Sequence, residues 1–414
     1  MPNKLKIRAF FFFCLITLSV VCNIKYNYTD QDHIEEKTDL LAKIATAIEV
    51  NEVDFSFLDE LLEDKRIVLL GEQLHDDGTT FEVKSMFIKY LHDKLGYNVV
   101  LYEAGLYDMW YMGTQDTINP HTGLYAFWWD NEACHPLWDY YRACRQTENP
   151  ILLGGFDVQL TGRINNSDRS GLIDNYLSDK QIDLSDYPAF NEVKNRMNYS
   201  LFWENKLIRE TLHDSIQVDL LHLLAKLAET KEGYVDEVYY RYLSGIKEYN
   251  ELRFDYDPGD PTRMNVRDSL MAGNLIWLAD EVYKDEKIIV WAANVHIFNN
   301  DNLYNSDNPY FKPMGAYLKE KFENDTYTMA FTSYARKNKA GHLYNAASNK
   351  SVEYLLHANK NKRLFLKTDD LPEDSFLNGE AISTVNQMMN IKNNWKKQFD
   401  GVFFIDAITS LNVK

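Results

Sequence analysis

The chain has 414 residues, 45% of them apolar, 26% charged and 14% aromatic, with a formal charge of −18. Its length allows two average domains or one large α/β domain, and its composition excludes the disordered and fibrous classes. The acidic balance excludes a nucleic-acid partner, which would need a basic stripe, and no internal apolar run reaches the roughly 18 residues of a membrane span.

Lys4, Lys6 and Arg8 precede an apolar stretch from Ala9 to Val21, the charged and apolar halves of an export signal. Cys22 follows directly and is a candidate for lipid attachment, so the expected location is exported, in the periplasm or cell envelope. Residues 1–22 then form a signal peptide or membrane anchor, 23–38 a polar tether, and 39–414 the catalytic domain. Cys14 and Cys22 fall in or beside the signal, which leaves Cys134 and Cys144 to the fold, as a pair or as two buried thiols. Cys134 stands beside His135, but no second Cys lies at zinc-finger spacing, so a nucleophile or metal ligand there has little support.

Arg66 to Leu70 is a short apolar run closed by Gly71 and reads as a buried strand. Between Thr80 and Leu95 the residues Phe81, Met86, Phe87, Tyr90, Leu91 and Leu95 recur at helical spacing, with Gly96 placed for the C-terminal cap. Asn98 to Tyr102 is a second buried strand, which completes a right-handed βαβ unit. Ile151 to Gly154, Lys287 to Trp291, Tyr327 to Thr332 and Val402 to Ile405 have the same character. The fold class is therefore α/β, a mostly parallel central sheet flanked by helices. Residues from about 165 to 265 lack such strands and read as a helical insertion, and the turn cluster Asp257 to Pro261 should end its last long helix.

Polar residues follow these strands consistently: Glu72 and His75 after the first, Glu103 after the second, Asp157 after the third, Asn294 and His296 after the fourth. In parallel α/β sheets ligands bind outside the strand carboxyl ends, so these residues should converge on one cleft. Singly, each has a plain structural reading, as a helix cap, a solvated loop His or a turn Asn. Glu and His at four strand ends together favour chemistry. Two chemistries suit them: an imidazole whose tautomer and basicity a carboxylate sets, acting as base on water, or a metal held by Glu72, His75, Glu103, Asp157 and His296. No dense ligand motif such as HExxH supports the metal. There is no GxSxG, GxxxxGK or GxGxxG sequence, which removes most support for serine acyl-enzyme, ATP-driven and nicotinamide chemistry.

Lys84, near the start of the helix after His75, is placed either to steady an anionic intermediate or to be solvated. Leu106 to Arg142 carries Trp110, Trp128, Trp129 and Trp138, half of the chain's eight tryptophans, with Tyr111, Tyr125, Tyr140 and Tyr141. That density suits a pocket for a bulky, partly apolar ligand, or a core.

The chain carries GExxH at Gly71 to His75, Phe81 and Lys84 after it, VVLYE at Val99 to Glu103, RDxxMAxN at Arg267 to Asn274, WAANVH at Trp291 to His296 and PMGAYL at Pro313 to Leu318. On these ordered motifs it resembles the erythromycin esterase family. The resemblance implies hydrolysis by water without a covalent intermediate, with His75 as the base, Glu72, Glu103 and His296 orienting water and substrate, and Lys84 at a basic position of the family. It also implies an α/β architecture with an open cleft. Leu74 and Asp76 flank His75 where the family often has Thr or Ser and Gly, Thr79 stands at a common acidic position, and Ala293 replaces a His that macrolide-active members carry. These differences bear on the substrate more than on hydrolysis.

The reading is a hydrolase that opens a lactone or carboxylic ester, with the macrolactone of erythromycin-like antibiotics as named candidate and macrolide resistance as the corresponding role. Catalytic candidates are His75, Glu72, Glu103 and His296, and substrate-binding candidates are Lys84, Asp157, Asn294, Trp110, Trp128 and Trp129. It calls for no cofactor and no metal. Its partners are a small ester or lactone and, through the N-terminus, a membrane. The alternatives are a metal-dependent hydrolase built on the same cluster and a non-catalytic envelope lipoprotein that binds a bulky apolar ligand.

Overall fold

Successive residues of the central strands are apolar on both sides, so each strand must be covered on both faces. In the computed structural model, which describes residues 34–48, 55–164, 166–194, 206–255, 260–300, 311–359 and 361–411, they are. The strands are β1 (Thr46–Ala47), β2 (Ile67–Leu70), β3 (Tyr97–Gly105), β4 (Leu152–Asp157), β5 (Lys287–Trp291), β6 (Thr326–Lys337), β7 (Leu343–Tyr344), β8 (Arg363–Lys367), β9 (Ala381–Ser383), β10 (Ile391–Asn393) and β11 (Gly401–Thr409). The main sheet runs β1-β8-β11-β6-β2-β5-β3-β4, with β7 beside β6, while β9 and β10 pair apart. From β11 through β6, β2, β5 and β3 to β4 every pairing is parallel. The β8 and β1 edge and the β7 flap are antiparallel.

Ile67 and Leu69, Val99 and Leu101, and Ile288 and Val290 face one apolar cluster; Val68 and Leu70, Val100 and Tyr102, and Ile289 and Trp291 face the other. The parallel order brings the carboxyl ends of β2, β5, β3 and β4 side by side. Helix α1 (Gly78–Leu95) follows β2 and ends at Gly96, whose φ of 73° is the left-handed cap conformation. Gly71, at the end of β2, permits a close approach: a Cβ there would lie 1.9 Å from Asn294 Oδ1. Helix α2 (Leu106–Thr114) lies between β3 and β4.

The insertion is helical as expected, with Asn166–Asp179, Pro188–Lys194, Lys206–Thr230 and Gly233–Asp255 around their own core of Ile173, Leu177, Leu220, Leu223 and Leu243. Helix Gly233–Asp255 stops just before the expected turn cluster, of which residues 257–259 lie outside the described residues. Asp260 then caps a further helix, α3 (Pro261–Trp277), which straddles the expected end of the insertion. The end of the tether requires correction: residues 34–38 belong to a helix that runs over 34–44, because Ile34, Leu41 and Ile44 share one helix face and pack on the sheet core, while residues 23–33 lie outside the described residues. The export signal and Cys22 lie outside the described residues. Among the described helices none is long and apolar enough to cross a membrane. Cys134 and Cys144 are both buried and form no disulfide.

Candidate active site

The loop after β2 carries Glu72 and His75. Glu72 is buried beneath the cleft, where its Oε1 accepts from His75 Nδ1 at 2.9 Å and its Oε2 accepts from Lys84 Nζ at 3.0 Å and from Trp291 Nε1 at 2.5 Å. Lys84 also lies 4.2 Å above the Trp291 ring. Burial lowers its ammonium to about 8, against the raising influence of Glu72. Three donors on one buried carboxylate fix its position, so the His75 ring is held by Nδ1 and keeps Nε2 for the cleft. The other side of the ring is fixed by stacking: Phe127 lies 5.0 Å away at 23°, and Tyr125 stacks on Phe127 at 5.2 Å. The His75 side chain is still 48% exposed. Burial lowers its pKa, but the hydrogen bond to Glu72 and the charges of Glu72 and Glu103 outweigh that, and the net direction is upward from 6.5.

A second cluster forms from β3, β4, β5 and α3. Arg267 places Nη2 2.9 Å from Glu103 Oε1 and 2.5 Å from Asp157 Oδ2, while its Nε reaches Asp157 Oδ1 at 3.2 Å. Glu103 Oε2 accepts from Ala293 N at 2.8 Å. His296 is held by Asp268 at Nδ1, at 2.9 Å, and by Glu103 at Nε2, at 3.2 Å. Burial lowers the His296 pKa, yet the two flanking carboxylates raise it to about 10, which favours the imidazolium; Arg267 Nη1 stands 3.0 Å from Nε2, so on that side the ring meets a guanidinium as well as Glu103. Glu103 falls well below the ordinary carboxylate range: burial raises it, but His296 and Arg267 hold it ionised.

Both clusters face one cleft of about 1120 Å³, lined by His75, Glu103, Arg267 and His296 together with Tyr125, Phe127 and Trp128. It stands at the upper end of small-ligand sites, which run to roughly 1,000 Å³. A general base thus shares a cavity with a guanidinium and an imidazolium able to receive negative charge.

A family model described as erythromycin esterase matches residues 92–408. The chain belongs to the erythromycin esterase family. Membership places it among hydrolases. The matched span holds Glu103, Arg267, Asp268 and His296, and Glu72 and His75 precede it and meet them in space. Two relatives extend further. "Putative hydrolase YbfO" of Bacillus subtilis (strain 168) is 26% identical over 402 residues, covering 86% of each chain. Erythromycin esterase type II of Escherichia coli is 24% identical over 400 residues, 85% of this chain and 92% of its own. The solved structure of an erythromycin esterase EreC mutant in its open conformation shares the α/β fold, with a TM-score of 0.62 at 16% identity over 87% of this chain and 95% of its own.

Of the four residues expected to act together, His75, Glu103 and His296 line the cleft with Trp128, and Glu72 lies buried under it, bonded to His75. The other binding candidates are placed differently. Lys84 is fully buried under Glu72, so its charge reaches the cleft only through Glu72 and His75. Asp157 is buried behind Arg267. Asn294 spends its amide on Phe331 O and Val385 O, both at 2.7 Å, and so ties β6 and the segment after β9 to the end of β5. Trp110 packs on Tyr107 and Tyr239 at the insertion core, and Trp129 packs on His121 in a neighbouring depression. A Trp is long enough to point away from a neighbour's cavity, and sequence density alone does not give its direction.

Arg267 and Asp268 are missing from the candidates because they lie inside a helix rather than after a strand; the RDxxMAxN motif is the signal that marks them. Asp268 also accepts from Met314 N at 2.9 Å, which joins the PMGAYL segment to the site, and Asn274 Nδ2 donates to Phe156 O at 3.0 Å and braces β4. Arg267 also bears on the metal alternative, since it occupies carboxylate oxygens that a metal would need. Among the described residues no three His, Cys, Asp or Glu stand where they would hold an ion. Cys134 offers no nucleophile: burial pushes its thiol up to about 12.

Proposed function

We propose that this chain opens a lactone or carboxylic ester by direct addition of water, with His75 as general base. The observation that carries the reading is the half-exposed His75 ring, fixed through Nδ1 to buried Glu72 with its other nitrogen toward the cleft. Water on Nε2 gives up a proton as it attacks the ester carbonyl. Negative charge then gathers on the carbonyl oxygen, and the cations of Arg267 and His296 on the same cleft are suited to stabilise it. The proton that His75 Nε2 has taken from water is then available to the departing alkoxide. Glu72 and Glu103 act through the histidines they hold and need not touch substrate. No step forms a bond to the protein.

The family relative named erythromycin esterase makes macrolactones the first compounds to assay, beside simple lactones and esters of graded size. Mass spectrometry follows the gain of one water on ring opening. Hydration of at least one compound by the wild-type chain, slowed on the order of 10²-fold in His75→Ala, is the expected result. Equal hydration by both proteins would remove His75 from the chemistry.

A further inference from the structure

The charges along the cleft do not balance. Of the residues that line it, Glu103 is the one carboxylate, and it is already shared between Arg267 and His296. Arg267 and His296 are compensated further by Asp157 and Asp268 beneath them. Arg163 is different. It lines the same cleft and is exposed, yet among the described residues no carboxylate lies within ion-pair distance of its guanidinium, in a chain with 62 acidic and 44 basic residues. Its ring partner is Trp129, 5.9 Å from the guanidinium carbon.

Its backbone is also held in place. The amides of Thr161 and Gly162 both donate to Asp108 Oδ2 at 2.8 Å, and Asp108 is buried and paired with buried Arg169. Arg163 N donates to His121 O at 2.9 Å, Thr161 Oγ1 donates to Gly123 O, and a Cβ on Gly162 would fall 1.7 Å from Thr122 O. The segment is clamped between α2 and the 120–123 turn, so Arg163 is presented from a fixed point on the wall.

We propose that Arg163 is a specificity residue that reads an anionic group on the substrate, so that the preferred ester or lactone carries a carboxylate or similar anion away from the bond that is cleaved. This rests on the hydrolase reading of the same cleft and narrows its substrate. A guanidinium pairs with carboxylate or phosphate in a two-pronged geometry, and in a strongly acidic protein such a group is a local attractor for anions that the rest of the surface repels.

The test compares mono-4-nitrophenyl adipate, which carries a free carboxylate, with its neutral methyl ester. An ion pair at the rim of a wet cleft contributes up to about 1 kcal/mol, roughly fivefold. The ratio of kcat/KM for the acid over the neutral ester should therefore be about fivefold in the wild type, expressed mainly in KM. It should shrink as salt is added. Arg163→Ala should bring the ratio to about one, Arg163→Glu should invert it, and Arg163→Lys should keep part of it. A ratio near one in the wild type, or one unchanged by all three substitutions, overturns the proposal. Should neither ester turn over, the hydrolase reading fails on these compounds, and calorimetric binding of adipate decides this one. Loss of binding in Arg163→Glu supports it, and equal binding overturns it.

Discussion

The pH dependence of the reaction should follow His75. The ring must lose its proton to act as base, and its pKa is raised because the Glu72 contact outweighs burial, so kcat/KM should climb with pH through a midpoint above 6.5. Replacing Glu72 with Gln alone would leave Lys84 as a buried charge without its partner, so the informative variant pairs Glu72→Gln with Lys84→Met. The amide oxygen of the new glutamine can still accept from Nδ1, but the raising charge is gone, and the midpoint should fall. An upward movement would contradict the assignment. His296 makes a separate statement about stability. Its folded pKa, about 10, lies above the ordinary 6.5, so its contribution is complete below 6.5 and is lost as pH rises through 10. Urea unfolding at about pH 6 and about pH 10 should show the wild type's advantage over His296→Gln narrowing with pH; a constant gap would mean that the ring is neutral in the fold.

At the scale of elements, the cleft wall between β4 and the insertion depends on Asp108, on α2. Two backbone amides and the Arg169 guanidinium converge on that buried carboxylate. Asp108→Ala strands a buried cation and should cost about 3–5 kcal/mol in urea unfolding. A loss below about 1 kcal/mol would show that these contacts do not hold the wall. The same elements show what is legible in the sequence. β2, β3, β5, β6 and β11 stand out as apolar runs because strands covered on both faces have no polar alternation, and α1 stands out through its spacing and Gly96. The residues at the strand ends follow from that frame. Helix 34–44 is hidden because one apolar stripe in a polar stretch looks like a tether. β8 escapes notice because Arg363 and Lys367 bracket only three apolar residues. Arg267 does not stand out by position or spacing, because a helix residue that reaches three strand ends has the same local pattern as one in solvent, and only the RDxxMAxN likeness marks it. Lys84 falls on the same helix face as Phe81, Phe87, Ile88 and Leu91, so its spacing points inward, but the carboxylate and the indole that it meets there leave no trace in that spacing.

At the scale of the molecule, an acidic protein gathers cations beneath the cleft and leaves one more on its wall. That arrangement supplies positive charge at the site from side chains alone. Dialysis against a chelator should leave hydrolysis unchanged; a loss restored by one divalent ion would return the metal reading despite Arg267. For the proposed attack by His75-activated water without a covalent intermediate, the decisive measurement is a single turnover in heavy-oxygen water with enzyme in excess, on whichever ester or lactone the chain accepts. One heavy oxygen should enter the product acid in the first turnover, no acylated protein should form at any time, and His75→Ala should be slower on the order of 10²-fold. An acyl adduct on the protein, or undiminished turnover by His75→Ala, would contradict it.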